Sequence, residues 1–156
     1  MTTSQQLSEL MAKIGPACGL LEVTEFDEGS NCSWILVAEE ETYLTADLDE
    51  AFGKLVLACE IATPPAERRG DIYEMLLRFQ NAWPETGGLR FSVDVDDSVV
   101  MMFDLAVSHL NVELLQTVVA NFLRQAAHWR EIISAGVDIE PVDSTPDIDN
   151  TGMVRV

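Results

Sequence analysis

The side chains able to do chemistry are few and scattered. His109 and His128 lie 19 residues apart, and neither has a Cys, His or Glu at metal-site spacing. Cys18, Cys32 and Cys59 form no CxxC pair, and no local signature joins a cysteine to a histidine as nucleophile and base. Asp94, Asp96 and Asp97 offer hard oxygen ligands, the one cluster a metal enzyme or small hydrolase could use. Their position between two alternating runs is instead that of a tight turn, where Asp side chains bond their own backbone. GxGxxG, GxxxxGK[ST] and GxSxG are all absent. The sequence therefore nominates no catalytic, cofactor-binding or metal-binding residue. The expectation is a protein that is not an enzyme and uses no cofactor.

Charge narrows the partners. Nine basic residues face 27 acidic ones, for a formal net charge of -18 over 156 residues. Nucleic acid is excluded, because phosphate binding needs a basic face. Anionic membrane surfaces are disfavoured for the same reason. No window approaches the roughly 18 apolar residues of a membrane span, so no membrane insertion is expected. A basic or neutral peptide would be attracted. The acid is uneven: no basic residue lies between Lys13 and Lys54, a stretch that holds Glu22, Glu25, Asp27, Glu28, Glu39, Glu40, Glu41, Asp47, Asp49 and Glu50. An odd cysteine count with no secretory signal fits reduced thiols in a cytoplasm.

The elements that would hold these groups read as one domain, residues 1–136, with an acidic mobile tail over 137–156. Leu7, Leu10, Met11 and Ile14 recur at helical spacing, and Gly15-Pro16 is a stop signal. Three strands follow, over 33–39, 42–48 and 54–62, as an antiparallel meander with a turn at Glu40-Glu41. Thr63-Pro64-Pro65 breaks the sheet. The next helix ends before Pro84; Asp71 with Glu74 suggests a capping box, and Ile72, Met75, Leu76, Phe79 and Trp83 line one face. Tyr73 and Leu77 widen that face beyond one core contact. Gly87-Gly88 opens a β-hairpin whose return strand, Val99–Val107, is apolar on both faces and so needs cover on both sides, one layer of it from a second subunit. Asn111 caps a last helix that runs to about Ser134. The order helix, three-strand antiparallel meander, helix, β-hairpin, helix is an α+β class. Core packing is the expectation for Trp83 and Trp129, while Trp34, in the acid-rich strands, is expected to offer exposed apolar surface to a peptide.

Three stretches carry a family likeness. They are Gly19–Glu39 (GLLEVTEFDEGSNCSWILVAE), Tyr73–Val95 (YEMLLRFQNAWPETGGLRFSVDV) and Val112–Ile132 (VELLQTVVANFLRQAAHWREI). A leucine-containing lead into an acidic turn and a first long strand, a Leu-Leu pair with Asn and Gly-Gly before a strand, and a closing amphipathic helix ending in tryptophan come in that order. Together they resemble the class I chaperones of bacterial type III secretion, the Tir-chaperone-like family, over roughly residues 5–134.

The resemblance implies a small acidic homodimer of the bacterial cytoplasm. Each dimer would hold the extended N-terminal segment of a secreted effector, partly by strand addition, and deliver it to the secretion apparatus. The secretion ATPase or a regulator would be further partners. By pattern position it places effector-binding grooves at Leu7, Leu10, Trp34, Leu36 and Leu44, and the dimer interface at Tyr73, Leu76, Leu77, Phe79, Met101 and Phe103. The acidic tail departs from shorter members. The same fold could instead serve a regulator that sequesters an anti-activator of the secretion system. A small hydrolase using the aspartates, or a structural adaptor for a folded partner, are the readings from other classes.

Overall fold

The computed structural model describes residues 3–28, 31–39 and 42–135. The elements are α1 (Thr3–Ala17), β1 (Glu22–Glu28), β2 (Asn31–Val37), β3 (Tyr43–Asp49), β4 (Lys54–Ala62), α2 (Arg69–Asn81), α3 (Trp83–Thr86), β5 (Arg90–Val93), β6 (Val99–Ala106) and α4 (Val112–Ala135), with a 3-10 turn at Val107–His109. The strands form one antiparallel sheet in the order β1-β2-β3-β4-β6-β5. The α+β class agrees with the sequence reading, and so does the order of elements apart from an added first strand and the short α3. The Glu40-Glu41 turn, the boundary at 136 and the tail lie outside the described residues.

The meander has four strands rather than three. The added strand, β1, reads EVTEFDE. Its acids suit strands poorly, and its apolar residues, Val23 and Phe26, fall three apart, so no period-two signal marks it. Pairing with β2 from Glu22 opposite Val37 to Glu28 opposite Asn31 overrides that weak propensity. What looked like an acidic turn before a first strand is itself the edge strand.

Helix ends show where local chemistry decides. Gly15-Pro16 does not stop α1, which continues to Ala17. The stop is Gly19, at φ +67°. The Leu20 N–H reaches the Gly15 carbonyl at 3.0 Å and the Gly19 N–H that of Pro16 at 3.5 Å. This is the Schellman arrangement, and only glycine adopts the left-handed position at little cost. The Asp71–Glu74 capping box is not formed: α2 starts at Arg69 with no side-chain cap, and Glu74 instead accepts from Arg78 one turn on. Asn111 does cap α4, its Oδ1 accepting the Leu114 N–H at 2.8 Å.

The core lies on one face of the sheet. Residues opposite one another share a face, so the register groups Trp34, Ala46, Leu57 and Phe103 in one row, and Leu36, Leu44, Cys59, Met101 and Phe91 in the next. Against these rows pack Leu7, Met11 and Ile14 of α1, Ile72 and Leu76 of α2, and the α4 stripe Leu115, Val119, Phe122, Ala126, Trp129 and Ile133. Phe79, Phe91 and Trp129 meet edge to face, with ring centroids 4.8–5.6 Å apart. Each fully buried aliphatic side chain contributes about 1.5–3 kcal/mol of transfer free energy.

Candidate functional site

With the helices on one side, the other face of the sheet is bare among the described residues. Register places Phe26 of β1, Ile35 and Val37 of β2, Tyr43 and Thr45 of β3, Val56 and Ala58 of β4, and Val100 and Met102 of β6 on it. Phe26 is 44% exposed and Tyr43 56%. Glu22, Asp47 and Glu60 stand exposed on the same face, and Lys54 and Arg90 both reach Asp104 at its far end. The surface is therefore apolar in its middle and acidic toward β1–β3.

The sheet has two edges, and they differ. β5 is four residues long, and its Phe91 N–H is already taken by the Gln80 side chain of α2 at 3.0 Å. β1 is seven residues long and pairs only with β2. It offers a row of backbone donors and acceptors to an incoming chain, the arrangement used in strand addition. Glu25, on the helix side of β1, is anchored by hydrogen bonds from the Ser8 hydroxyl at 2.8 Å and the Cys32 thiol at 3.5 Å. Inward-facing charge of this kind discourages the uncharged edge-to-edge pairing that leads to aggregation.

The residues expected to line effector grooves divide. Leu10 stands on α1 beside Val107 and Leu110 at a groove of about 250 Å³, whereas Leu7, at the floor of that groove, is 1% exposed and belongs to the core. Trp34, Leu36 and Leu44 do not reach the surface; Trp34 is 1% exposed, against the expectation that it would be free. Their side chains point to the helix-covered face of the sheet. A side chain one position along a strand points to the other face, so Ile35, Val37 and Tyr43 are the ones presented.

The residues expected at a dimer interface divide likewise. Leu76 and Met101 are core. Tyr73 is half-buried, its hydroxyl donating to the Asp97 carbonyl at 2.7 Å, which ties α2 to the hairpin. Leu77 is 67% exposed. Phe79 and Phe103 line a hollow of about 620 Å³ with Leu89, Val118 and Phe122. Trp83, expected in the core, is 67% exposed beside the hollow. Pro84 has no N–H to offer the Gln80 carbonyl and its ring crowds that turn, so α2 ends at Asn81 and the chain restarts as α3 at Trp83, whose indole is turned out.

The chemistry-bearing groups are occupied structurally. Asp94, Asp96 and Asp97 form the hairpin turn: the Asp97 N–H reaches the Asp94 carbonyl at 3.0 Å, Asp94 accepts the Val95 N–H at 2.6 Å, and Asp97 pairs with Arg69 at 2.6 Å. Burial pushes the Cys18 and Cys59 thiols up, away from the reactive thiolate. Among the described residues no group of three or more His, Cys, Asp or Glu could hold a metal ion, and no helix is long and apolar enough to cross a membrane.

The model of the Tir chaperone protein (CesT) family matches residues 9–130. Among solved structures, a chain of the ExsC-ExsE complex superimposes with a TM-score of 0.72 at 20% identity, over 88% of this chain and 100% of that one. The HopA1-SchA chaperone-effector complex gives 0.64 at 19%, over 82% and 95%. The Yersinia pestis type III secretion chaperone SycH, solved with a stable fragment of YscM2, gives 0.57 at 18%, over 78% and 97%. Comparison with curated proteins gives no match.

Proposed function

This chain belongs to the Tir chaperone protein (CesT) family, and from that premise we propose that it is a type III secretion chaperone. It binds the extended N-terminal segment of one or more effectors in the bacterial cytoplasm, keeps it competent for export and delivers it to the secretion apparatus. It does so without catalysis or a cofactor. The observation that carries this reading is the bare, acid-flanked sheet face that ends in the open edge of β1.

The physics of such a site matches the task. An extended segment surrenders about 1–2 kcal/mol per ordered residue. Backbone pairing along β1 is indifferent to side-chain identity, and apolar contact with Phe26, Ile35 and Tyr43 contributes roughly 25 cal/mol per Å² buried. Residues 1–62 carry twelve acids against two bases, so a basic segment is steered to this half.

The working unit is a homodimer. Two copies at -18 each repel, and contact is least costly where charge is most balanced. Residues 63–135 carry ten acids and six bases, and they also present Leu77, Trp83 and the hollow lined by Phe79 and Phe103. An apolar knob beside an apolar hollow is self-complementary under two-fold symmetry.

Co-expression with N-terminal fragments of the secreted proteins of the same cell tests the function. The expected result is a soluble complex in which a fragment digested rapidly when free becomes protected. Binding only to a folded partner, with no protected segment, overturns the proposal. Protection of a control protein instead of an exported one would assign the same surface to the regulatory task.

A further inference from the structure

A chain that joins the edge of β1 meets two different sides. Register puts Glu22, Thr24 and Phe26 on the bare face, and Val23 and Glu25 on the side that α1 covers. α1 runs along that side: its Ser8 hydroxyl reaches Glu25 at 2.8 Å, and a Cβ on Gly15 would lie 3.5 Å from the Val23 Cγ2. Glu25 faces inward and is nevertheless exposed, because β1 is the outermost strand. The Ser8 hydroxyl and the Cys32 thiol, at 2.8 and 3.5 Å, both bind its Oε1. These donors are neutral, so they hold the carboxylate in place without cancelling its charge. Oε2 is then the oxygen that an arriving cation meets.

We propose that Glu25 selects the segment that pairs with β1: the incoming strand carries Lys or Arg at the inward position beside Glu25, two residues from an apolar side chain beside Val23. The proposal rests on the reading that an effector segment adds to β1. An added strand continues the alternation of the sheet, so its inward side chains stand opposite Val23 and Glu25 with Cβ atoms about 5 Å apart. A base at that distance pairs with Glu25, whereas a second carboxylate is repelled. The anchors have already ordered the Glu25 side chain, so less rotamer freedom is lost when the pair forms. The spacing of two is the same whether the segment runs parallel or antiparallel to β1. Glu22 and Asp47 draw in any basic segment, but Glu25 reads one position of it. The same rule rejects a second copy of β1, whose sequence EVTEFDE holds no base.

The probes are three synthetic nine-residue peptides of alternating Thr and Val, with Lys, Gln or Glu in place of the third Val. Fluorescence anisotropy at about 0.15 M salt, where charges beyond roughly 8 Å are screened, gives their affinities for the wild type, Glu25→Gln and Glu22→Gln. E25Q keeps an oxygen for Ser8 and Cys32, so it removes the charge and leaves the anchors. E22Q removes an equal charge from the other face of the same strand. The wild type should bind the Lys peptide about two- to five-fold more tightly than the Gln peptide, and the Glu peptide least, the range of a cross-strand charge pair. The Lys preference should be lost in E25Q and kept in E22Q. Equal binding of the Lys and Gln peptides by the wild type, or the same loss of preference in both variants, overturns the inference. So does failure of all three peptides to bind. Protection of an effector fragment on co-expression then shows that the effector reading stands without this role for Glu25.

Discussion

Glu25 and Trp34 stand directly opposite each other across the β1–β2 ladder. The carboxylate sits at the open edge of the sheet, held by Ser8 and Cys32, and the indole one strand inward is buried under the helices. The boundary between open edge and core therefore falls within a single cross-strand pair. It separates substitutions that alter recognition from those that alter folding.

Trp34 belongs to the folding side. Trp34→Ala should cost about 3–5 kcal/mol in urea unfolding. The indole N–H is buried and has no hydrogen-bond partner among the described residues. Trp34→Phe removes that unpaired donor and should therefore lose much less, within about 1.5 kcal/mol. Partner affinity of the folded W34F protein should be unchanged.

Charge on the strand half acts on encounter. Neutralising Glu22, Glu39 and Asp47 together (to Gln, Gln and Asn) should slow association with a basic segment by about three- to ten-fold at low salt and flatten the salt dependence. Dissociation, set by backbone pairing and apolar contact, should change little. Stopped-flow fluorescence at two salt concentrations separates the two rates.

The self-association surface predicts opposite outcomes for neighbouring leucines. Leu77→Asp and Trp83→Asp place charge on exposed positions, so light scattering should report folded monomers. Leu76→Ala, one residue from Leu77, should instead lower stability by about 2–5 kcal/mol, because Leu76 is core.

The sequence displayed the fold well where burial imposes a period. Leu55, Leu57, Cys59 and Ile61 alternate in the sequence and are the buried residues of β4, and the apolar residues of α4 recur at helical spacing and form its buried stripe. It was less legible at the edges. β1 lacks a period because one of its sides is open, and Pro16 masked a helix whose stop is Gly19. The site suffered most, since alternation shows that a strand has two faces but not which face the helices take. Trp34, Leu36 and Leu44, expected to line grooves, lie buried on the helix-covered side for that reason. Tryptophan exposure reversed at Trp83 because Pro84, not hydrophobicity, sets its direction.

The buried thiols give the stability a pH signature. Burial pushes Cys59 up, with Arg130 drawing it down and Glu60 pushing it up; burial also raises Cys18. The folded chain thus favours the neutral thiols, and that contribution is complete below the ordinary thiol pKa of about 8.5. Above it the unfolded chain releases protons first, so stability falls as pH rises. The thermal midpoint should decline between pH 8 and 10, and more shallowly in Cys59→Ala.

An extended segment is expected to pair with β1. Hydrogen exchange of the amides of Val23, Thr24, Glu25 and Phe26, with and without a bound effector N-terminal fragment, tests it most directly. Alternate amides, those that do not pair with β2, should slow by at least roughly tenfold in the complex. A stable complex in which those amides exchange as fast as in the free chain would contradict it.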